Sequence, residues 1–321
     1  MATRKTNPIA VVALGGNALA PDGERASVYD QFRHTRESLG PIVDLALDGW
    51  NLCVVHGNGP QVGDELLRNE IARAEVTPLP LGVLVASTAG WIGYMIQQSV
   101  ENALRRMGSS RDVATVVTQV HVDPDDPTWQ SPTKPIGHAI SAERAEALTR
   151  EGYTIKPDAR GRLRRVVSSP RPLAIHELAT IRTLVLRGTI VVACGGGGAP
   201  VYFDNERQGW EGMDAVVDKD LASAVLARDL GAELLLILTD VDAVYLDWGK
   251  PTQRPIRRLS VDEAERLDGE KAFGEGSMAP KVRAAVDFVR TTQGRAIITE
   301  LHKGRAAVRG DAGTTITPES V

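Results

Sequence analysis

The stretch Thr189–Pro200, TIVVACGGGGAP, runs an apolar segment straight into four consecutive glycines. Glycine costs backbone entropy on folding, so a run of it fits a flexible linker or a loop whose backbone goes where side chains cannot. The linker reading fails, because a strand-like run precedes the glycines and patterned sequence follows them. The same arrangement occurs twice more. IAVVAL (Ile9–Leu14) runs into Gly15, Gly16 and Asn17, and LCVVH (Leu52–His56) runs into GNGPQVG, which begins Gly57, Asn58, Gly59. In open α/β sheets ligands bind beyond the carboxyl ends of the strands, where glycine loops and helix N-termini present N–H groups to anions. Three such loops, the last carrying Gly195, Gly196 and Gly197, predict a phosphate site.

Around these loops strands alternate with helices. Helical spacing falls within Ser27–Leu47, from the second glycine loop to about Ala74, and in one or two helices within Leu81–Met107. A strand is expected over Val113–Val120. Further on come a helix at Lys219–Gly231 with a glycine C-cap, a strand at Glu233–Asp240, a helix at Ala279–Arg290 and a strand at Arg295–Thr299. Strands separated by crossovers of about a dozen residues or more point to an α/β fold, a parallel sheet covered on both faces. Residues 1–321 read as one domain. Within it, periodicity breaks at the Pro- and Asp-rich His121–Gly137. Asp123–Arg171 therefore reads as an inserted, lid-like subdomain, with a short helix at Ser141–Arg150 and an exposed hairpin at Arg160–Arg165.

Lys plus Arg number 37 against 41 Asp plus Glu, a net charge of −4, which gives no field for nucleic acid or an anionic membrane. Cys53 and Cys194 lie in apolar runs and read as buried free thiols. Val76–Val100 carries no charge, but its prolines, glycines and glutamines mark a buried helix rather than a membrane span. The apolar core Ile9–Leu14 is shorter than the ~7–15 residues of a signal segment, so a cytoplasmic protein is expected.

Neither a Walker A loop nor a GxGxxG dinucleotide loop is present; Gly57, Gly59 and Gly63 carry one spacer too many. Phosphoryl transfer needs positive charge around the transferred group. Three lysines stand in unusual settings: Lys134 in PTKPIG, Lys219 between Asp218 and Asp220, and Lys281 at a helix start. A lysine at a helix N-terminus is disfavoured by the dipole unless an anion is present. Against this stands the ordinary solvated lysine paired with local acids. Asp220 reads as an orienter of lysines or a metal holder, and Asp218 as a helix N-cap. The six histidines form no metal pattern, and His56 reads as a packed strand-end residue.

The motifs VVALGGNAL, VVHGNGPQVG, SPTKPIG, CGGGGAPV, AVVDKDLAS, LILTDVDAVYLDWGKP and GSMAPKVRAAVDFV follow in order from about residue 9 to residue 299. In them the chain resembles the bacterial carbamate kinases, within the amino-acid kinase fold family. The resemblance implies an open αβα three-layer sandwich with a mostly parallel sheet, a protruding subdomain at 123–171, and a homodimer. It implies reversible transfer between ATP and carbamate, giving ADP and carbamoyl phosphate, with Mg²⁺, usually run towards ATP in arginine catabolism. It would place Gly15, Gly16, Asn17, Gly57, Asn58, Gly59 and Gly195–Gly197 around the substrate. Lys219 and Lys281 would neutralise charge, Asp220 would organise them, and Lys134 would close over the site. Asp240, Val241, Tyr245 and Met278 would line the nucleotide side. Wider amino-acid kinases carry a lysine where this chain has Ala13, and carbamate kinases share its absence. A kinase for another small acid, or a non-catalytic sensor on the same scaffold, are the alternatives.

Overall fold

The computed structural model describes residues 7–16, 19–20, 27–158, 160–273 and 278–319. The chain begins β1 (Ile9–Leu14), α1 (Val28–Ser38), α2 (Gly40–Leu47), β2 (Asn51–His56), α3 (Gly59–Ala72), α4 (Leu81–Arg106), β3 (Val113–Thr115). An excursion follows: β4 (Gln119–Val122), β5 (Lys134–Ile136), α5 (Ala142–Arg150), β6 (Ile155–Pro157), β7 (Leu163–Val167), β8 (Pro172–Ile175). The chain then adds α6 (Leu178–Leu186), β9 (Ile190–Val192), β10 (Ala199–Asp204), β11 (Gly209–Gly212), α7 (Lys219–Leu230) and β12 (Leu234–Thr239). It continues through β13 (Val244–Leu246), β14 (Arg254–Ile256), β15 (Arg258–Ser260), α8 (Val261–Gly269) and α9 (Met278–Thr292). Last come β16 (Arg295–Glu300), α10 (Gly304–Val308) and β17 (Thr314–Thr317).

β1, β2, β9 and β12 are continuous apolar runs because both their faces are buried. They form the middle of an eight-stranded sheet ordered β15-β17-β16-β12-β1-β2-β9-β3, parallel at every pairing except β16–β17. Alternate residues serve opposite layers. Val11, Ala13, Cys53 and Val55 pack with α6, α7, α8 and α9, while Ala10, Val12, Leu14, Leu52 and Val54 pack with α2, α4 and α10. The fold is thus an α/β three-layer sandwich around a mostly parallel sheet. α4 absorbs most of the uncharged stretch through Leu84, Ile92, Met95, Ile96 and Val100, and no described helix is long and apolar enough to cross a membrane. Cys53 and Cys194 are buried and unpaired.

One feature departs from the sequence reading. Val113–Val120 is not one strand: β3 ends the main sheet, and β4 joins a separate sheet ordered β11-β10-β4-β8. Thr118 makes the break, donating its hydroxyl to Val116 O (2.8 Å) while its own carbonyl accepts from Ala199 N (2.9 Å). That second sheet is also where residues 123–171 leave, after β4, and return, at β8. They carry a three-stranded sheet, β5-β7-β6, with α5 against it. The hairpin β6–β7 pairs Ile155 with Arg165 and Pro157 with Leu163.

Candidate active site

Four neighbouring strands, β12, β1, β2 and β9, deliver their carboxyl ends to one place. The N–H of Gly15 still follows the ladder to Leu238 O, and that of Gly57 to Leu14 O, both at 3.1 Å. At this corner backbone meets backbone: a Cβ on Gly57 would lie 3.1 Å from Gly16 N and 3.3 Å from Lys219 Cδ. Asn17 lies outside the described residues.

The turn after β9 answers why four glycines follow a strand. Cys194 already has φ +50, and Gly196, Gly197 and Gly198 have φ of +67, +91 and +88, a region that L side chains rarely adopt. Space is as short as conformation. A Cβ would lie 2.5 Å from His56 Nε2 at Gly195, 2.2 Å from Asn58 Nδ2 at Gly196, and 2.3 Å from Val217 O at Gly197. The N–H groups of Gly197 and Gly198 close the turn on Cys194 O and Gly195 O, so they are engaged within it. Gly59 differs: nothing lies within 4 Å of its would-be Cβ.

Above this floor a chain of ion pairs crosses the head of α7. Lys134, from β5, pairs with Asp218; Lys219 Nζ lies 2.6 Å from Asp220 Oδ1; and Lys281 Nζ, at the start of α9, lies 3.1 Å from Asp220 Oδ2. Within this chain three lysines face two aspartates, an excess of one positive charge, with Asp240 close enough to act on Lys281 as well. Asp218 has a double part: its Oδ1 caps α7, accepting from Asp220 N (2.9 Å) and Leu221 N (3.4 Å), while Oδ2 holds Lys134. Burial opposes ionisation of both aspartates, but the lysines outweigh it. Lys134, then Lys219 and Lys281, hold the Asp218 carboxyl well below the usual range, and Lys219 and Lys281 lower that of Asp220. The two lysines sharing Asp220 are unequal. Burial, with the Lys281 charge beside it, pulls Lys219 down further than Asp220 and Asp218 restore it, whereas Lys281, although buried, is lifted by Asp220 and Asp218.

Beside this chain opens a cavity of about 340 Å³ lined by Gly15, Gly16, Lys219, Leu238, Thr239, Asp240, Lys281, and Glu300 to His302. Of the residues assigned to the nucleotide, Asp240 lines it; Val241, Tyr245 and Met278 do not. Tyr245 donates its hydroxyl to Asp242 Oδ1 (2.6 Å), and Met278 packs against the core under α9. Glu300, Leu301 and His302, at the carboxyl end of β16, escaped the sequence reading because no glycine marks that strand end.

The profile of the Amino acid kinase family matches residues 8–300, more than half of the chain. The chain belongs to the amino acid kinase family. Within it, the carbamate kinase of Pyrococcus horikoshii is 42% identical over 311 residues, covering 96% of this chain and 98% of that protein. The carbamate kinase of Clostridium perfringens is 44% identical over 311 residues, covering 95% and 98%. Among solved structures, a carbamate kinase from Giardia lamblia bound to citric acid superposes with a TM-score of 0.92 at 35% identity, covering 97% of this chain and 98% of that one. The same Giardia enzyme bound to AMP-PNP gives a TM-score of 0.88 at 36% identity and 97% coverage of this chain.

Proposed function

We propose that this chain is a carbamate kinase, an ATP-dependent phosphotransferase that interconverts ATP plus carbamate with ADP plus carbamoyl phosphate. The observation that carries the reading is the ion-pair chain Lys134–Asp218 and Lys219–Asp220–Lys281 at the carboxyl ends of β12, β1, β2 and β9, with Lys219 and Lys281 lining the cavity. Towards ATP, a β-phosphate oxygen of ADP attacks the phosphorus of carbamoyl phosphate, the bond to the carbamoyl oxygen breaks, and carbamate leaves with that electron pair. Charge spreads over the three equatorial oxygens as the phosphoryl group passes. Lys219 and Lys281 meet it from the body of the protein, and Asp220 keeps their ammonium groups together. Gly15 and Gly16 supply an uncharged wall of the cavity; Gly57 packs against Gly16, and the Gly195–Gly197 turn against Asn58. Lys134 arrives on residues 123–171, which act as a lid.

Among the described residues there is no group of three or more His, Cys, Asp or Glu able to cage a metal. Mg²⁺ is held largely by nucleotide phosphates and water with one or two carboxylates, and Asp240 and Glu300 on the cavity wall are carboxylates that would serve. When bound it neutralises charge between the phosphates. AMP-PNP bound to the Giardia enzyme supports the nucleotide assignment. The likeness to carbamate kinases also supports a cytoplasmic homodimer running towards ATP in arginine catabolism.

The test is ATP formation from MgADP and carbamoyl phosphate, with Lys281→Ala beside the wild type. The wild type forms ATP, and the variant is slower by about 10³-fold, as for loss of a charge placed on the transferred group. No ATP from folded, nucleotide-binding wild type would sink the assignment and favour another small acid or a sensor.

A further inference from the structure

Thr88 sits in the middle of α4 with no solvent exposure, away from every motif that marks the site. Its Oγ1 lies 2.8 Å from Leu84 O and 2.9 Å from Val85 O, so its single proton goes to carbonyls of its own helix. The oxygen is then left as an acceptor, and Asn58 Nδ2 donates to it at 2.9 Å. This decides which way round the Asn58 carboxamide sits, because a hydroxyl already donating to its helix cannot also donate to Asn58 Oδ1. On its other side that carboxamide lies against the glycine turn: a Cβ on Gly196 would be 2.2 Å from Nδ2 and 2.7 Å from Oδ1. α4 reaches this close because Gly93 lets it sink onto β3, where a Cβ would stand 2.2 Å from Thr115 Cγ2. One turn earlier, Ala89 Cβ stands 2.9 Å from the would-be Cβ of Gly195.

We propose that Thr88 is a positioning residue of the phosphoryl-transfer site, acting through Asn58: its hydroxyl sets the carboxamide against the Gly195–Gly197 turn. The inference rests on the kinase reading above and deepens it. The competing account is ordinary: threonines inside helices often return their hydroxyl to the preceding turn and do nothing else. In that account Asn58 is indifferent to the Thr88 oxygen.

The variants that separate the two are Thr88→Val, which removes the oxygen at nearly constant volume, and Thr88→Ser, which keeps it. Rates of ATP formation from MgADP and carbamoyl phosphate are measured with the melting temperature of each protein. A misplaced group in a transfer site costs about 10–100-fold. Thr88→Val is expected to lose about that factor in kcat with KM for MgADP within about twofold, and Thr88→Ser to recover most of it. In an Asn58→Ala background Thr88→Val costs nothing further, since its route of action is gone. Wild-type kcat in Thr88→Val, equal losses in Val and Ser, or a full additional loss on top of Asn58→Ala would each overturn the proposal. If Thr88→Val does not fold, Thr88→Ala against Thr88→Ser decides by the same comparison. A readout independent of turnover is hydrogen exchange of the Asn58 side-chain amide by NMR. Protection in wild type and Ser but not in Val supports the proposal, and equal exchange in all three overturns it. Inactive wild type with that protection intact overturns the kinase reading alone.

Discussion

Beneath the lysines, the turn Cys194–Gly198 is held by the impossibility of any side chain; above them, the β5-β7-β6 sheet is seated by ion pairs and by Ile136 and Val167, which join Val62, Leu84, Val85 and Val216 in a small apolar cluster. The floor is buried backbone against His56, Asn58 and Val217. The roof reaches the body through Lys134 on Asp218, Arg144 and Arg165 on Glu70, and Gly137, whose N–H bonds Gly59 O at 3.0 Å. The Lys134 and Arg144 pairs are part-exposed, with side-chain exposures of 26% for Lys134 and 39% for Arg144, and pairs so placed are worth about 0–1 kcal/mol each, whereas Arg165–Glu70 is more buried, at 15% on each side. Steric packing allows one arrangement and no intermediate. Charge pairs of this strength can be exchanged for a substrate's charges at small cost. The lid proposed for residues 123–171 would set a movable roof over a rigid floor, which is what a site needs if it must admit an anion and then surround it.

The sharpest way to break the comparison is Gly197→Ala. The added Cβ meets Val217 O at 2.3 Å, in a backbone with φ +91. Both the clash and the strain must be relieved by moving the strand end, and changes of that kind destabilise by about 4 kcal/mol or more. Gly59→Ala is the matched control within the same set of glycines, because nothing lies within 4 Å of its would-be Cβ; it should stay within about 0.5 kcal/mol. Denaturant midpoints for the two variants check this. Equal midpoints would show that the floor can yield.

A smaller effect is expected at the roof's tightest contact. A Cβ on Gly63 would fall 1.9 Å from Gly137 Cα. Yet Gly63 lies inside α3, where alanine is favoured over glycine by about 1 kcal/mol. Gly63→Ala sets that helix gain against a backbone clash beside the buried Ile136, so it should destabilise less than Gly197→Ala while pushing Gly137, and with it Lys134, off the site. KM for carbamoyl phosphate should rise about tenfold, a loss of about 1.4 kcal/mol of binding. Hydrogen exchange over residues 134–167 should quicken. Wild-type KM and exchange would mean that the roof is not seated through this contact.

Floor and roof were not equally legible in the sequence. The floor announces itself, because a glycine needed for backbone reasons cannot be replaced and so stands in the sequence as a glycine run. Strand positions followed from apolar runs, which is why β1, β2, β9 and β12 were placed to within a residue or two, whereas their order in the sheet was not readable. Asp218 shows the limit: its N-cap role was readable from position, but its hold on Lys134 joins residues 84 apart in sequence, and no local pattern encodes it. Thr88 is further from view, since a threonine in an apolar helix looks like packing until Asn58 is seen beside it. The break at Thr118 was missed because Val113–Val120 is apolar enough for one strand, and only its partners in two sheets divide it.

The finest probe of the floor is pH. His56 is fully buried, its Nδ1 is 3.0 Å from Gly57 O, and burial, against the pull of that carbonyl, lowers its pKa from 6.5 to about 4. Between those values the folded protein keeps His56 neutral while the unfolded chain binds a proton. Protons therefore favour unfolding: this contribution to stability is fully present above pH 6.5 and is lost as pH falls towards about 4. Over the whole interval it amounts to about 3 kcal/mol. His56→Gln removes the titration. Whatever the substitution costs at neutral pH, the difference in unfolding free energy between variant and wild type should shift in the variant's favour by about that amount on acidification. A difference that stays flat from pH 6.5 downwards would mean that His56 takes up its proton inside the fold, and that the floor beneath the glycine turn admits a charge which the packing around Gly195 leaves no room to solvate.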